Sequence, residues 1–250
     1  MTTRHIPKTG QHRPLTPLPD PPKPPDAMQR LPHVARAYVI LNDYFRDRID
    51  VLVGGRGYLC YDPNNLKSAI RPDSLVSFGL AVPPETIIEA NGYTISEVGK
   101  PPDLVLEVAS ESAGQRDYTI KRDIYAAYGV REQWRFDYTS GRYHDAPLAG
   151  HRLVNGELVP IPVITGADGV LRGFSEVLGL ELHWDGGILR FWDPATEEYL
   201  PDLAEAKAQR DAAVTQRDAA IIQRDAEARQ AVEERVRQLE SELRRLQSGG

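Results

Sequence analysis

The segment PPDLVLEVASESAGQRDYTIKRDIYAAYGVREQWRFD, residues 101–137, decides the fold. Residues 103–110 alternate and are rich in Val and Leu, which predicts a mostly buried strand after the Pro101–Pro102 pair. Apolar residues in the stretch 115–129 recur with helical spacing, and Gly129 is typical of a helix C-terminus. The segment therefore predicts a strand, a helix and a second strand in succession.

Two places in this segment carry candidate site residues. Glu107 lies inside the predicted strand, where a carboxylate costs free energy unless it binds a metal ion, a proton or a hydrogen-bond donor. The alternative is a glutamate at a sheet edge that faces water or pairs with an arginine. Asp117 and Lys121 share one face of the predicted helix because they are four residues apart. The alternative there is an exposed ion pair, which contributes little to stability.

A second Pro-Asp pair, Pro72–Asp73, precedes another short strand predicted within residues 69–78. Two acids from neighbouring strands and a nearby lysine are the minimal set for holding Mg²⁺ and activating a water molecule against a phosphodiester. Lys121 is the best placed lysine for this task, ahead of Lys67 and Lys100. The sequence therefore favours a metal-dependent site built from two strands and a helix.

These motifs, with GVREQW at residues 129–134 and Asp137, resemble the Uma-two family of restriction endonucleases in the PD-(D/E)xK nuclease superfamily. The resemblance runs from about residue 33 to residue 200. It implies an α/β fold, with a restriction-endonuclease-like core in which helices flank a mixed central sheet. It also implies that Asp73 and Glu107 ligate Mg²⁺ or Mn²⁺, and that Lys121 stabilises the attacking water or the developing negative charge.

The chain departs from the family pattern at two positions. The superfamily lysine usually lies two residues after the glutamate, but Ala109 occupies that position. The resemblance implies that Lys121, on the following helix, replaces it. Gln133 stands where the family usually has tyrosine between Glu132 and Trp134. We interpret it as a strand-facing change without catalytic consequence.

Asp103 and Asp117 are predicted to support the site without binding the metal. Strand parity places Asp103 on the same face as Glu107, but four residues at ~3.3 Å each separate them by roughly 13 Å, too far to share one ion. We expect Asp103 to start the strand and to accept backbone or arginine hydrogen bonds. Asp117 is expected to orient Lys121 across one helical turn.

Composition gives no sign of a membrane protein. The chain has 250 residues and 41% hydrophobic content, and it contains neither an apolar run of the ~18 residues that can span a bilayer nor a signal peptide. We therefore expect a cytoplasmic protein without a membrane partner. Its net charge of −6 is unfavourable for DNA binding, which depends on cations that neutralise phosphates. The arginines nearest the predicted site either contact phosphate or are ordinary surface charges: Arg71, Arg116, Arg122, Arg131 and Arg135.

The predicted domains differ in composition. Residues 1–30 are predicted to be a disordered Pro-rich arm, because eight prolines and few apolar residues occur within residues 1–26. Residues 31–201 are predicted to form the PD-(D/E)xK-like nuclease domain, which begins with a helix over about residues 33–47. Its last part is expected to form hairpins that flank the core, with short strands at residues 141–143, 156–161 and 178–182.

Residues 202–250 predict a coiled coil, because Gln-Arg-Asp recurs at seven-residue intervals from Gln209, Gln216 and Gln223. Apolar residues then follow a 4-3-4-3 spacing at Val232, Val236, Leu239, Leu243 and Leu246. Acidic and basic residues nearly balance in this segment, which favours helix pairing over DNA binding. A homodimer or another oligomer, parallel or antiparallel, would bury this stripe.

Two functions are compatible with these observations. The first is a metal-dependent endonuclease that hydrolyses DNA, in which Asp73 and Glu107 hold the ion and Lys121 assists. The second is a non-catalytic oligomerising scaffold or binding module that retains the nuclease fold and acts through its coiled coil. Retention of all three candidate residues favours the endonuclease.

Overall fold

A mixed six-stranded sheet is the centre of the first of two units into which the chain divides, Met1–Leu200 and Pro201–Gly250. The computed structural model describes residues 14–19, 27–111 and 119–248. In order across the sheet, the strands are β1 (Leu52–Gly54), β3 (Ser74–Ser77), β5 (Leu104–Val108), β6 (Glu132–Phe136), β7 (Leu148–Val154) and β8 (Glu157–Ile161). Neighbouring strands are antiparallel except β5 and β6, which are parallel.

Helices flank this sheet. The described helices of the first unit are α1 (Ala27–Tyr44), α2 (Pro84–Glu89), α3 (Ile95–Val98) and α4 (Ile120–Tyr128). A separate parallel pair consists of β2 (Tyr58–Cys60) and β4 (Gly92–Thr94). Helix α4 lies in the connection from β5 to β6, because two neighbouring parallel strands require a crossover segment. The mixed sheet with its helices confirms the predicted α/β architecture.

The predicted strand–helix–strand unit is present. All five residues of β5 are buried, and they alternate between two hydrophobic cores: Leu104, Leu106 and Val108 pack in one and Val105 in the other. Helix α4 ends at Gly129, whose φ of 82° permits the left-handed cap that the sequence predicted. Residues 115–118 of the predicted helix lie outside the described part of the chain.

A second, antiparallel sheet covers the first core, where the sequence predicted flanking hairpins. Its strands, in order, are β13 (Glu198–Tyr199), β12 (Ile188–Asp193), β11 (Leu180–Asp185), β10 (Leu171–Ser175) and β9 (Val163–Thr165). The strand predicted at residues 141–143 is wrong. This stretch forms a turn, because Gly141 has a φ of 88° and the Asp137 carboxylate accepts the N–H groups of Tyr143 and His144, each at 2.8 Å.

Trp134 and Glu132 join the two sheets. The indole of Trp134 is fully buried and donates to Glu132 at 3.0 Å, while Ser175 of the second sheet donates to the same carboxylate. The ring lies so close to β7 and β10 that a Cβ on Gly150 or on Gly173 would stand 2.7 Å from it. The Glu-Gln-Trp motif therefore contributes two residues to the junction between the sheets.

Helix α1 starts earlier than predicted and ends earlier, since it spans Ala27–Tyr44 while the apolar pattern placed it at residues 33–47. Val34, Ala37 and Leu41 form its buried stripe, and Tyr38 is 40% exposed. The helix begins inside the segment that was predicted to be a disordered arm. Its first turn is fixed to the domain by Arg30, which is buried.

Residues 14–19 of the Pro-rich arm are also anchored, through two leucines, which differs from the predicted disorder. Leu15 and Leu18 are buried, and the Leu18 N–H donates to the Ala90 carbonyl at 2.8 Å. Thr16 donates to the carboxylate of Glu97 through its N–H at 2.8 Å and through its hydroxyl at 2.5 Å. Average composition did not reveal these contacts, because two leucines suffice to anchor a short extended segment.

The second unit contains one long helix, α5 (Leu203–Ser248). Asp202 and Glu205 form a reciprocal cap at its start, each accepting the other's N–H at 2.8–2.9 Å. The described side chains of the predicted stripe are 48–63% exposed: Val232, Val236, Leu239 and Leu243. Among the described helices of the protein, none combines the length and the apolar character needed to cross a membrane.

Candidate active site

The strand register brings the two predicted metal-binding acids together. Ser74 of β3 pairs with Leu106 of β5, and continuing this antiparallel register by one residue places Asp73 opposite Glu107. Asp73 Oδ2 accepts the backbone N–H of Val108 at 2.9 Å. The Asp73 side chain therefore bonds to β5 at the residue that follows Glu107, just where β3 begins.

Helix α4 supplies two partners to Glu107, which is completely buried. Lys121 Nζ lies 2.8 Å from Glu107 Oε2, and the Tyr125 hydroxyl donates to Glu107 Oε1. Lys121 and Tyr125 are one helical turn apart, so both point from α4 towards the same strand. Lys121 Nζ also reaches the Arg71 carbonyl oxygen at 3.4 Å, and its side chain is only 12% exposed.

Tyr125 is a site residue that the sequence analysis did not assign. It lies in the quoted segment of residues 101–137, but no role was inferred for it. The signal was available, because residues at i and i+4 of a helix share a face, and Tyr125 follows Lys121 by four residues. A lysine predicted to lie beside a buried carboxylate therefore predicts that the tyrosine four residues later lies there too.

Arg30 is the second residue that sequence reasoning missed. Its Nη1 lies 3.3 Å from Asp73 Oδ2, and the two side chains are 11% and 6% exposed. The contact brings the first turn of α1 to the start of β3. No sequence signal pointed to it, because Arg30 fell in the segment assigned to the arm and pairs with a residue far away in the chain.

Asp103 lies at the other end of β5 from the site. Its carboxylate accepts the Phe78 N–H at 2.8 Å and bonds to Lys100 Nζ at 2.5 Å and Arg131 Nη1 at 3.5 Å. These are backbone and cation contacts of the kind expected for a residue that starts a strand. Asp117, predicted to orient Lys121, lies outside the described residues.

Arg135 is the predicted arginine nearest to Glu107 in the sheet, since the two are partners in the parallel register of β5 and β6. Its side chain is 3% exposed and pairs with Asp145. Burial acts to raise the pKa of Asp145, but the hydrogen bond and charge of Arg135 outweigh it and hold that pKa low. Burial, with the charges of Arg135 and Arg122, lowers the pKa of His151 to about 4, so this histidine is neutral near pH 7.

The donor set at the site suits a hard divalent cation. Asp73 and Glu107 offer carboxylate oxygens, and Mg²⁺ is commonly held by one or two carboxylates together with water and substrate oxygens. Within residues 14–19, 27–111 and 119–248, no group of three or more His, Cys, Asp or Glu side chains is placed to hold a metal ion. Asp73 and Glu107 carry oxygen donors of the type that fits Mg²⁺ or Mn²⁺.

The chain matches a family model and is similar to a solved structure. The family model described as Uma2, putative restriction endonuclease, matches residues 26–184. This chain is similar to the crystal structure of a putative nuclease belonging to DUF820 from Anabaena variabilis ATCC 29413, with 14% identity and a TM-score of 0.38 over 54% of this chain and 70% of that chain. No curated protein matches the chain. The matched range of the family contains Asp73, Glu107 and Lys121.

We expect Tyr125→Phe to lower the free energy of unfolding by about 1–3 kcal/mol, because it removes a donor from a completely buried carboxylate. Tyr128→Phe is the matched control. Tyr128 is on the same helix, but its hydroxyl donates to the Ser68 carbonyl at an exposed position, where water can replace the lost bond. Urea denaturation of both variants measures the difference. Equal losses would contradict the special position of Tyr125.

Proposed function

Because the chain belongs to the Uma2 restriction-endonuclease family, we propose that it is a metal-dependent endonuclease that hydrolyses phosphodiester bonds of DNA. The observation that carries this proposal is the meeting of Asp73, Glu107 and Lys121 at the point where β3, β5 and α4 come together. Lys121 is in contact with Glu107, and Asp73 lies opposite Glu107 in the strand register. Two acids and a nearby lysine are the groups that such hydrolysis requires.

In this proposal Asp73 and Glu107 hold Mg²⁺ or Mn²⁺. When bound, the ion supplies a Lewis acid that polarises a phosphate oxygen and lowers the pKa of a water molecule. Lys121 provides a fixed positive charge beside Glu107, which stabilises the attacking water or the negative charge that develops on the phosphoryl oxygens. Tyr125 fixes the second oxygen of Glu107, so that the carboxylate keeps one orientation.

The charges around the site also support this role. The carboxylates of Asp73 and Glu107 are balanced by the cations of Arg30 and Lys121, which lie at 3.3 and 2.8 Å from them. These four groups sum to zero, so a bound divalent cation would leave the cluster with a positive charge. A positive cluster favours a phosphodiester, which offsets the overall negative charge of the chain at this one place.

The alternative is the non-catalytic scaffold, and one observation favours it. Both oxygens of Glu107 already accept hydrogen bonds from Lys121 and Tyr125, so the cluster is also a well-satisfied buried ion pair. Such pairs occur in proteins without any catalytic role. Metal binding and hydrolysis are the measurements that separate the two functions.

The first test is metal binding. Saturating Mn²⁺ is expected to raise the melting temperature of the wild type by roughly 5–10 °C, since a ligand at 100 times its Kd adds about 2.7 kcal/mol to stability. Glu107→Gln should lose this increase. Asp103→Asn is the control, because it removes a carboxylate from the other end of the same strand. Identical responses of the wild type and Glu107→Gln would contradict the metal site.

The second test is hydrolysis of a nonspecific DNA duplex in the presence of Mg²⁺. Lys121→Met is expected to lower kcat by about a hundredfold, because it removes a preorganised charge from the reacting phosphate. Lys100→Met is the matched control. It breaks a comparable ion pair with Asp103 but leaves the site intact, so its rate should stay near wild type. Undiminished cleavage by Lys121→Met would assign the role to another cation.

We further propose that helix α5 pairs with a second copy of the chain. Val236, Leu239 and Leu243 follow heptad spacing and are 48%, 48% and 57% exposed, and a partner helix with the same stripe would remove them from water. Two joined nuclease units could then act on both strands of one duplex. The exposed stripe, together with the near balance of acidic and basic residues, supports self-pairing.

Sedimentation tests this pairing. At micromolar concentration the full chain should sediment as a dimer or a larger oligomer, and a chain that ends at Pro201 should sediment as a monomer. Leu243→Glu should dissociate the full chain, since it places a charge in the stripe. Ile222→Glu, in the Ala-rich half of the helix, should have a smaller effect. If the full chain and the chain ending at Pro201 are both monomers, self-pairing is wrong.

A further inference from the structure

A cleft of about 410 Å³ lies beside the candidate active site, and Asp73 forms part of its wall. Leu31, Ala35 and Tyr38 of helix α1 line one part of it, and residues 54–57, the end of β1 and the glycine-rich turn that follows, line another. This volume lies within the range of about 300–1,000 Å³ that is typical of small-molecule sites. Of the site residues described above, Asp73 is the one that lines this cleft.

The lining of the cleft is largely apolar and rich in tyrosine. Tyr38, Tyr58 and Tyr93 contribute to it. Leu31, Tyr38 and Ile88, which also line it, are 47%, 40% and 60% exposed, so the apolar lining continues to the protein surface. Exposed apolar patches of this kind mark interaction sites. The cleft therefore suits a flat, mostly apolar group that enters from solvent.

The turn between β1 and β2 places a cation at this cleft. Arg56 is exposed, has a φ of 66° and donates its N–H to the Pro72 carbonyl at 2.9 Å. Gly55 packs directly against Asp73, the residue after Pro72, because a Cβ on Gly55 would stand 2.2 Å from the Asp73 carbonyl oxygen. The turn is thus pressed against the backbone of the Pro-Asp pair. A guanidinium at this position can contact a phosphate that approaches Asp73.

We propose that this cleft binds the base of the nucleotide next to the phosphodiester that is hydrolysed, an inference that rests on the nuclease function proposed above. Tyr38, which is 40% exposed, and the half-buried Tyr58 offer rings on which any base can stack, while Tyr93 lies on the buried side of the lining. Asp73 is common to the cleft and the acid pair, so a base in the cleft keeps its own phosphate near the site. A base inside a duplex is paired and stacked, so the bound nucleotide is one that is unpaired or turned out of the helix.

Two substitutions fill the cleft from different walls. Gly54→Leu is accommodated by the backbone, because a Cβ at Gly54 meets only the Leu52 side chain, at 3.7 Å or more. Ala35→Leu adds three carbons, one fewer than Gly54→Leu, from an exposed position on helix α1. Asn42→Leu is the control, since it is exposed on the same helix but outside the cleft lining. Melting temperatures identify any variant that fails to fold. If one of the two filling variants does not fold, the other still tests the cleft.

The measurement is binding of a single-stranded oligonucleotide that contains the fluorescent base 2-aminopurine, with Mg²⁺, to the full-length Lys121→Met protein. Loss of base stacking is expected to weaken binding by about tenfold in either filling variant and to abolish the fluorescence change, while Asn42→Leu keeps both. Unchanged affinity and fluorescence in a folded filling variant, or no binding of the oligonucleotide at all, would overturn the proposal.

The nuclease function is measured separately, by hydrolysis with the wild-type protein. If the oligonucleotide binds in a cleft-dependent way and the wild type does not hydrolyse DNA, the base site stands and the endonuclease proposal fails. If the wild type hydrolyses DNA and filling the cleft changes neither affinity nor fluorescence, the endonuclease stands and the base site is wrong.

Discussion

The buried carboxylate of Glu107 is the constraint on which the rest of the site depends. It lies in a strand whose other four residues are apolar, and it is completely shielded from water. A charge in such a place is tolerated only with an opposite charge and further donors close by. Lys121 and Tyr125 meet this requirement from one helix. Strand β5 and helix α4 can therefore dock in few ways, and the position of the site follows from that docking.

The same requirement links the site to elements that come before it in the chain. Asp73, the residue before β3, accepts a backbone N–H from β5. Arg30 pairs with this aspartate and so holds the start of helix α1 against it. Each contact compensates a charge or a polar group that the previous contact buried. The site is thus also a structural junction of β3, β5, α1 and α4, which is why binding and folding are expected to respond together.

Features encoded over a short range were predicted from the sequence, and features that depend on distant residues were not. The strand around Glu107 and the end of helix α4 at Gly129 follow from apolar spacing and from one glycine. The contact of Lys121 with Glu107 agrees with the family resemblance, whereas helical spacing alone favoured an exposed Asp117–Lys121 ion pair. Arg30 could not be inferred, because nothing near it in the sequence indicates a partner on another strand.

The errors have the same physical origin. The predicted hairpins are present, but their assembly into a separate sheet was not predicted, because Gly turns show where strands end and not which sheet a strand joins. Residues 141–143 have a strand-like composition, but the carboxylate of Asp137 binds the backbone N–H groups that a neighbouring strand would need. Leu15 and Leu18 are isolated in a Pro-rich stretch, and their burial depends on a surface made by α2 and β4.

The indole of Trp134 has a mechanical consequence for the whole first unit. Its ring contacts β7 on one sheet and β10 on the other, and both contacts occur at glycines, Gly150 and Gly173, that leave no space for a side chain. One sheet cannot slide along the other unless this ring changes its rotamer within a closed interior. The Trp134 side chain therefore opposes shear between the sheets, and it lies in the same sheet as the strands next to Asp73 and containing Glu107.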